Sequence, residues 1–326
     1  MKDFLLSYDT VCLIPNYSTL SSRNDADTSV TFCGYKFALP VVPANMVDVI
    51  SFENAKKMSN NGYFYIMHRF DNVNDRFCHY AMDNKLKLIS ISVGIQEHSM
   101  SEIGNVIEII REGTKDFDLE PNFITIDVAH GHHSKVCDMM EHIKKLSPKS
   151  KLIVGNVATA EGYKYLVDCG ADAVKVGIGG GSICSTRYKT GFHLPTLQSV
   201  YDCASLGLDI PIIADGGLKH YGDVAKALAF GATMVMSGQW FASCIDSPAK
   251  ISHGKKVYRG STSYELKGHK NHVEGHSLEI DEGCTYVERL LEIQQALQSS
   301  ISYAGGHDLS IFEHNRVKWN RVYPWH

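Results

Sequence analysis

Short apolar runs alternate with longer segments of helical periodicity along most of this chain. The runs are rich in valine, isoleucine and aromatic residues and are nearly unbroken, as expected of parallel strands buried on both faces. Eight such runs predict strands at Val41–Met46, Tyr63–His68, Leu88–Val93, Phe123–Val128, Leu152–Val157, Ala173–Ile178, Pro211–Ala214 and Thr233–Met236.

Amphipathic segments between these runs predict helices, for example at Ser101–Gly113, Ser134–Leu146, Glu161–Cys169 and Asp223–Phe230. Gly170 and Gly231 follow the last two segments, where a glycine commonly ends a helix. Eight strands alternating with helices predict an α/β fold, a (β/α)8 barrel, because right-handed crossovers make it the simplest closed arrangement. A doubly wound open sheet is the alternative that the strand count leaves open.

The ends of the chain depart from this alternation. Residues 1–40 predict an N-terminal extension, with a hairpin around Phe32-Cys33-Gly34-Tyr35. Residues 251–282 are polar and lack apolar periodicity, which predicts a long mobile loop after strand eight that could close over an active site. A helix is predicted at Glu288–Ser300. Because no linker or second boundary is evident, residues 1–326 are interpreted as a single barrel catalytic domain.

Composition narrows the class of protein and its compartment. The net charge is −4 and no Lys/Arg block occurs, which argues against nucleic-acid binding. Nine scattered cysteines without a CxxC pair argue against a disulfide framework or a structural zinc site and favour a reducing compartment. Neither a signal peptide nor an apolar run of membrane-spanning length is evident, so we expect a soluble, cytoplasmic protein without a membrane partner.

Polar residues recur where the predicted strands end. In a parallel barrel this C-terminal face carries the active site. The residues concerned are Asn45, His68, Arg69, Ser90, Ser92, Asp127, Asn156, Asp215, Ser237 and the loop that begins at Gly177.

The loop Gly177-Ile178-Gly179-Gly180-Gly181-Ser182-Ile183-Cys184-Ser185-Thr186 carries the strongest chemical signal. Its glycines allow positive φ and close approach of backbone N–H groups to an anion, and Ser182 adds a hydroxyl. A thiol beside such donors can be held as a nucleophilic thiolate. The spacing fits neither a dinucleotide fingerprint nor a Walker A motif. The alternative is a tight turn with an incidental buried cysteine.

Two further turns fit a phosphate site, which barrels often build after strands seven and eight. Asp215-Gly216-Gly217 and Ser237-Gly238 offer backbone donors, and Asp215 could accept from a ribose hydroxyl. Ordinary turn chemistry is the alternative for each alone. Histidines near Asp127, at 130, 132 and 133, lack the spacing of a zinc site and favour a structural or substrate-contact role.

Taken in order, these segments resemble the IMP dehydrogenase/GMP reductase family over nearly the whole chain. The resemblance rests on Pro43-Ala44-Asn45-Met46, Asp127 with its His-Gly, Gly155-Asn156-Val157-Ala158-Thr159, the Cys184 loop, Ile213-Ala214-Asp215-Gly216-Gly217 and Tyr258-Arg259-Gly260. It is closest to the reductase members. The chain has no room for the regulatory CBS pair of the dehydrogenases, and their flap Arg–Tyr pair has no match.

The resemblance implies a homotetrameric barrel that converts GMP and NADPH into IMP, ammonia and NADP in purine salvage. Cys184 would attack C2 of guanine to give a covalent thioimidate, and Thr186 would assist proton transfer. The usual partner of that threonine is a glutamate, for which Glu288 is the candidate. A dehydrogenase without its regulatory domain and a noncatalytic nucleotide sensor are the alternatives.

The resemblance also implies the binding residues. Asp127, His68 and Arg69 fall on the NADPH side, and carbonyls of Gly179, Gly181 and Cys184 match a potassium site. Gly180 departs from the family pattern, which usually has proline. The substrate residues implied are Ser182, Gly216, Gly217 and Gly238 for phosphate, Asp215 for ribose, and Arg259, Ser261, Thr262 and Ser263 in the loop that contacts the base.

Overall fold

The structure is a computed structural model, and it describes residues 5–114, 119–261, 263, 275–313 and 316–322. Its strands are β1 (Val11–Leu13), β2 (Val30–Phe32), β3 (Tyr35–Phe37), β4 (Val41–Pro43), β5 (Ser90–Val93), β6 (Phe123–Asp127), β7 (Lys151–Val157), β8 (Ala173–Val176), β9 (Ile212–Asp215), β10 (Met234–Ser237), β11 (Lys250–Ser252), β12 (Lys255–Arg259), β13 (Ser277–Ile280) and β14 (Trp319–Arg321).

The helices alternate with the central strands. They are α1 (Phe52–Asn60), α2 (Val73–Asp83), α3 (Glu97–Thr114), α4 (Ser134–Leu146), α5 (Ala160–Asp168), α6 (Thr186–Thr190), α7 (Thr196–Ala204), α8 (Gly222–Ala229), α9 (Gln239–Ala242) and α10 (Tyr286–Ala304). Short 3-10 turns lie at Tyr8–Thr10, Arg23–Asp25 and Leu309–Phe312.

Seven of the central strands form one parallel sheet in the order β4-β10-β9-β8-β7-β6-β5. Within this sheet the first strand in sequence, β4, pairs with the last, β10, and the order is otherwise sequential. A doubly wound sheet reverses its strand order, whereas a barrel does not. The predicted barrel is therefore confirmed, and its strands are buried on both sides as their apolar runs require.

The predicted strand Tyr63–His68 forms no ladder. The segment is buried, and the Met67 N–H donates to the Ser90 carbonyl at 3.0 Å, while the Ser92 hydroxyl donates to the Met67 carbonyl. It therefore lies against β5, next to the open edge of the sheet. The strand assignment is wrong because single bonds, including a side-chain bond, replace the repeated pairing of a ladder.

The predicted hairpin is confirmed as β2 and β3. Cys33 and Gly34 both have positive φ, 49° and 87°, as a two-residue hairpin turn requires. The hairpin places Phe32 against Phe64, with ring centroids 5.3 Å apart, and Phe64 lies 4.9 Å from Phe123. The N-terminal extension thus contributes to the barrel core.

Local sequence signals set several helix boundaries. Helix α4 has the predicted bounds, and Thr159 caps α5 by accepting from the Gly162 N–H at 3.1 Å. Gly170 and Gly231 have φ of 95° and 104°, as predicted for glycines that end helices. No helix of the described residues is both long and apolar enough to span a membrane.

The polar segment after β10 is not the unstructured loop that its composition predicts. Strands β11, β12 and β13 form an antiparallel sheet, with His253 and Gly254 at positive φ in the first turn. Lys256 and Tyr258 alternate inward on β12 and are only 2% and 5% exposed. The prediction failed because an inward lysine hides the two-residue alternation. Residues 262 and 264–274 lie outside the described part.

A disulfide joins Cys137 on α4 to Cys169 at the end of α5, with Cα atoms 5.7 Å apart. This overturns the expectation that the cysteines carry no disulfide. The bond was missed because adjacent crossover helices bring together residues 32 positions apart, and the spacing itself carries no sign of contact. The other seven cysteines are free.

Candidate active site

A cavity of about 720 Å³ opens at the C-terminal ends of the parallel strands. Such a volume accommodates a nucleotide-sized ligand. The Cys184 loop, the turn after β9 and the turn after β10 supply most of its wall. Polar residues predicted from different parts of the chain therefore meet here, as the barrel topology requires.

The Cys184 loop is a tight turn between β8 and α6. Gly177 has a φ of 148°, and a side chain there would overlap the Asp215 carbonyl. The Cys184 N–H donates to the Gly181 carbonyl at 3.1 Å. The half-buried Cys184 thiol donates to the Thr186 hydroxyl at 3.2 Å. The loop thus presents a thiol next to a hydroxyl at the cavity wall.

Residues from the antiparallel sheet contact this loop. The His276 N–H donates to the Ile183 carbonyl at 3.1 Å, and Gly275 pairs with Cys184 in an isolated bridge. Gly260 faces Gly275 so closely that a Cβ on Gly260 would lie 2.8 Å from the Gly275 Cα. This segment therefore packs directly against the loop that carries Cys184.

The glycine turns after β9 and β10 lie beside the Cys184 loop. Gly216 and Gly217 have φ of 85° and 83°, and a Cβ on Gly216 would lie 3.1 Å from the Gly181 nitrogen. Ser182, Gly216, Gly217 and Gly238 all line the cavity. Backbone in this conformation can direct N–H groups at an anion.

Tyr258 packs its ring against the turn after β10. A Cβ on Gly238 would overlap the Tyr258 hydroxyl, which itself lies 3.5 Å from the Met46 sulfur. Burial raises the pKa of Tyr258 far above its usual range, and the charge of Asp215 raises it further. The phenol therefore stays protonated and can donate into the cavity.

Lys175 on β8 was not singled out from the sequence, because it lies within an apolar run. It is 2% exposed, and its ammonium bonds Asp127 at 2.9 Å and Asp215 at 3.3 Å. A Cβ on the neighbouring Gly155 would lie 2.5 Å from the Lys175 Cβ. The glycine in the Gly-Asn motif thus leaves room for the lysine, a pairing that a single sequence does not reveal.

Asp127 and Arg69 form one side of the cavity. The Arg69 Nε donates to the Asp127 carbonyl at 3.0 Å and lies 3.6 Å from its carboxylate. Burial alone would raise the pKa of Asp127, but the charges of Lys175 and Arg69 outweigh it and hold the pKa below its usual value. Asp127 is therefore ionised at neutral pH.

Asp215 is held from two sides. Besides the lysine, the Asn156 amide donates to its carboxylate at 2.7 Å and to the Gly177 carbonyl at 2.8 Å. The buried amide oxygen of Asn156 has no partner among the described residues. Because Asn156 lines the cavity, that oxygen is available to a ligand donor.

Three predicted site residues lie apart from the cavity wall. Arg259 is directed at the buried carboxylate of Asp48, to which its Nε donates at 2.8 Å. Glu288 bonds Thr285 in the capping box of α10, so the structure does not bring it to Cys184. His68, which precedes Arg69 in the sequence, is buried, and its Nδ1 accepts from the Phe70 N–H.

The base-contact positions are only partly described. Ser261 lines the cavity. Ser263 is fully buried, and its hydroxyl has no partner among the described residues. Thr262 lies outside the described residues. Within the described ranges, no group of three or more His, Cys, Asp or Glu side chains could hold a metal ion.

Fold and site together define a (β/α)8 barrel protein with a thiol in its cavity. On one side of the thiol lie glycine turns suited to binding an anion, and on the other lie the charged residues Asp127 and Arg69. The particular family follows from comparison with known proteins. The model of the IMP dehydrogenase / GMP reductase domain matches residues 5–321, and the chain belongs to that family.

Known relatives are similar over nearly their full length. The chain is 45% identical to a GMP reductase of Enterococcus faecalis over 315 residues, covering 95% of this chain and 94% of that protein. It is 46% identical to a GMP reductase of Oenococcus oeni over 313 residues, covering 94% of each. A GMP reductase of Lysinibacillus sphaericus is 45% identical over 313 residues, covering 94% of this chain and 93% of that protein.

Proposed function

We propose that this protein is a GMP reductase, an NADPH-dependent oxidoreductase that converts GMP into IMP and ammonia. The observation that carries the proposal is the Cys184 thiol, 3.2 Å from the Thr186 hydroxyl, between the glycine cradle and the Asp127 wall of one cavity. Identity of 43–46% to proteins named GMP reductase supports the same assignment.

The cradle orients the nucleotide over the thiol. The phosphate accepts from the Ser182 hydroxyl and from backbone N–H groups at Gly216, Gly217 and Gly238. The Asp215 carboxylate accepts from a ribose hydroxyl. This arrangement holds C2 of guanine against Cys184. The attack is then effectively intramolecular, because the translational and rotational entropy is lost on binding and not in the reaction step. Ser261, with Thr262 and Ser263, is assigned to the base.

The chemistry proceeds in two balanced steps. The Cys184 sulfur forms a bond to C2, the C2–N bond breaks, and the amino group leaves as ammonia with a proton relayed through Thr186. The thioimidate carbon then gains hydride and the C–S bond breaks, which releases IMP and a thiolate that takes up a proton to restore the thiol. Overall, GMP, NADPH and two protons give IMP, NADP and ammonium. The segment at Gly275, which lies against the Cys184 loop, keeps water from hydrolysing the thioimidate.

NADPH, which supplies the hydride when bound, is assigned to the side of the cavity formed by Asp127 and Arg69, with His68 behind it. The unpartnered Asn156 amide oxygen fits a hydroxyl or amide donor on either ligand. Carbonyls of Gly179, Gly181 and Cys184 are assigned to a potassium ion, because such oxygen donors suit a hard cation. A homotetramer in the cytoplasm completes the proposal.

The test is loss of NADPH absorbance on mixing the protein with GMP, with IMP and ammonia measured as products. Oxidation of NADPH matched by IMP and ammonia supports the reductase. Formation of XMP from IMP and NAD, with no reaction of GMP, would replace it with a dehydrogenase. Inactivity in both assays, with GMP still bound, would indicate a nucleotide-binding protein without catalysis.

A further inference from the structure

Lys175 directs its ammonium at three acceptors inside the barrel. A lysine ammonium has three N–H donors and no acceptor. In this structure it reaches the Asp127 Oδ1 at 2.9 Å, the Asp215 Oδ2 at 3.3 Å and the Asn45 Oδ1 at 3.2 Å. With 2% of the residue exposed, water does not substitute for any of these acceptors.

The two carboxylates come from opposite sides of this lysine. Asp127 ends β6 and Asp215 ends β9, whereas Lys175 lies on β8. Both carboxylates approach one nitrogen within 3.3 Å, so they are held close to each other. Without the cation, two negative charges would share a poorly solvated site and raise each other's free energy.

The other groups near the two carboxylates differ between Asp127 and Asp215. Arg69 also lies beside Asp127, at 3.6 Å from its carboxylate. The ion pair described for Asp215 is the one with Lys175, and its further contact is the neutral Asn156 amide. Tyr258 and Tyr8 also face Asp215, and both stay neutral, because burial raises their pKa far above neutrality. Asp215 therefore depends on Lys175 more than Asp127 does.

We propose that Lys175 is a positioning residue that ties the two halves of the cavity together, by neutralising Asp127 and Asp215 with one ammonium and fixing both carboxylates. The inference rests on the proposed function for what each half binds: GMP ribose at Asp215 and NADPH at Asp127. The lysine itself acts through these carboxylates. It follows that the affinity of the protein for GMP, to which Asp215 contributes, depends on the charge of Asp127.

A mutant cycle of Lys175→Met, Asp127→Asn and the double variant tests this coupling. We expect Lys175→Met to lower the unfolding midpoint of the ligand-free protein and to raise the Kd for GMP by about tenfold or more, measured without cofactor. With Asp127→Asn as background, the repulsion is gone, so the same change should raise Kd by only about threefold and cost less stability.

Lys256→Met provides a matched control. Lys256 is likewise 2% exposed, but it donates to three carbonyls, those of Ile245, Ser247 and Ala249. Its removal should destabilise the protein equally in both Asp127 backgrounds. An equal effect of Lys175→Met in both backgrounds, on stability and on Kd, would overturn the inference. Absence of GMP binding to the unmutated protein would refute the proposed function instead, and the stability cycle would still decide the role of Lys175.

Discussion

The Cys184 sulfur lies 3.2 Å from the Thr186 hydroxyl, within a single turn that ends β8 and begins α6. The thiol proton therefore has an acceptor that can pass it on. We expect Thr186→Val to lower kcat for GMP reduction by about 100-fold, the lower range for loss of a proton-transfer group, with little change in Kd for GMP. Thr186→Ser should retain most activity.

Replacing the nucleophile should have a larger effect. We expect Cys184→Ala to abolish NADPH oxidation while GMP still binds, which equilibrium binding and a steady-state assay would measure together. Cys12→Ser, at a half-buried cysteine of β1, is the control and should leave turnover unchanged. Turnover in Cys184→Ala near that of the unmutated protein would exclude covalent catalysis.

Gly238 leaves room for the hydroxyl of Tyr258. A methyl group on Gly238 would overlap that hydroxyl, and the 5% exposure of Tyr258 leaves it little space to move. We expect Gly238→Ala to raise KM for GMP by about tenfold or more, because it displaces both the phosphate turn and a donor. Gly104→Ala, where no atom outside the neighbouring backbone of α3 lies within 4 Å of the new Cβ, is the matched control.

The Cys137–Cys169 disulfide closes a segment of 32 residues between α4 and α5. Loop-closure entropy gives such a bond about 3–4 kcal/mol of stabilisation. We expect dithiothreitol to lower the unfolding midpoint by several degrees and to have no such effect on the Cys137→Ser/Cys169→Ser double variant. Under denaturing conditions without reductant, thiol titration should give seven free thiols of nine. Nine thiols before reduction would contradict the bond.

The barrel and most of its site were predictable because their signals are local. Unbroken apolar runs identified the strands, and the ends of those runs located Asp127, Asp215 and the Cys184 loop. What depends on tertiary contact was not predictable. Lys175 lies in an apolar run and is recognisable only once Asp127 and Asp215 are seen beside it.

The directions of individual side chains were not predictable from the sequence for the same reason. Arg259 was expected at the substrate, but the structure directs it to Asp48, which is 1% exposed and could not be buried without a cation. Glu288 was expected near Thr186, but it follows Thr285 at the spacing of a capping box. The spacing of Thr285 and Glu288 is a local signal that already favours a capping role for Glu288.

His68 links stability to pH. Burial lowers the pKa of His68 from 6.5 to about 4, and its Nδ1 accepts from the Phe70 N–H, which requires an unprotonated nitrogen. Because the folded-state pKa is depressed, the stabilisation is complete above the unfolded-state pKa and is lost as pH falls from 6.5 towards 4. At pH 5 the loss is about 2 kcal/mol.

We therefore expect the unfolding free energy from urea titration to fall less between pH 7.5 and pH 5 in His68→Gln than in the unmutated protein, by about that amount. His98→Gln, on an exposed part of α3, should keep the full pH dependence. An equal fall in all three proteins would show that another group carries the acid sensitivity.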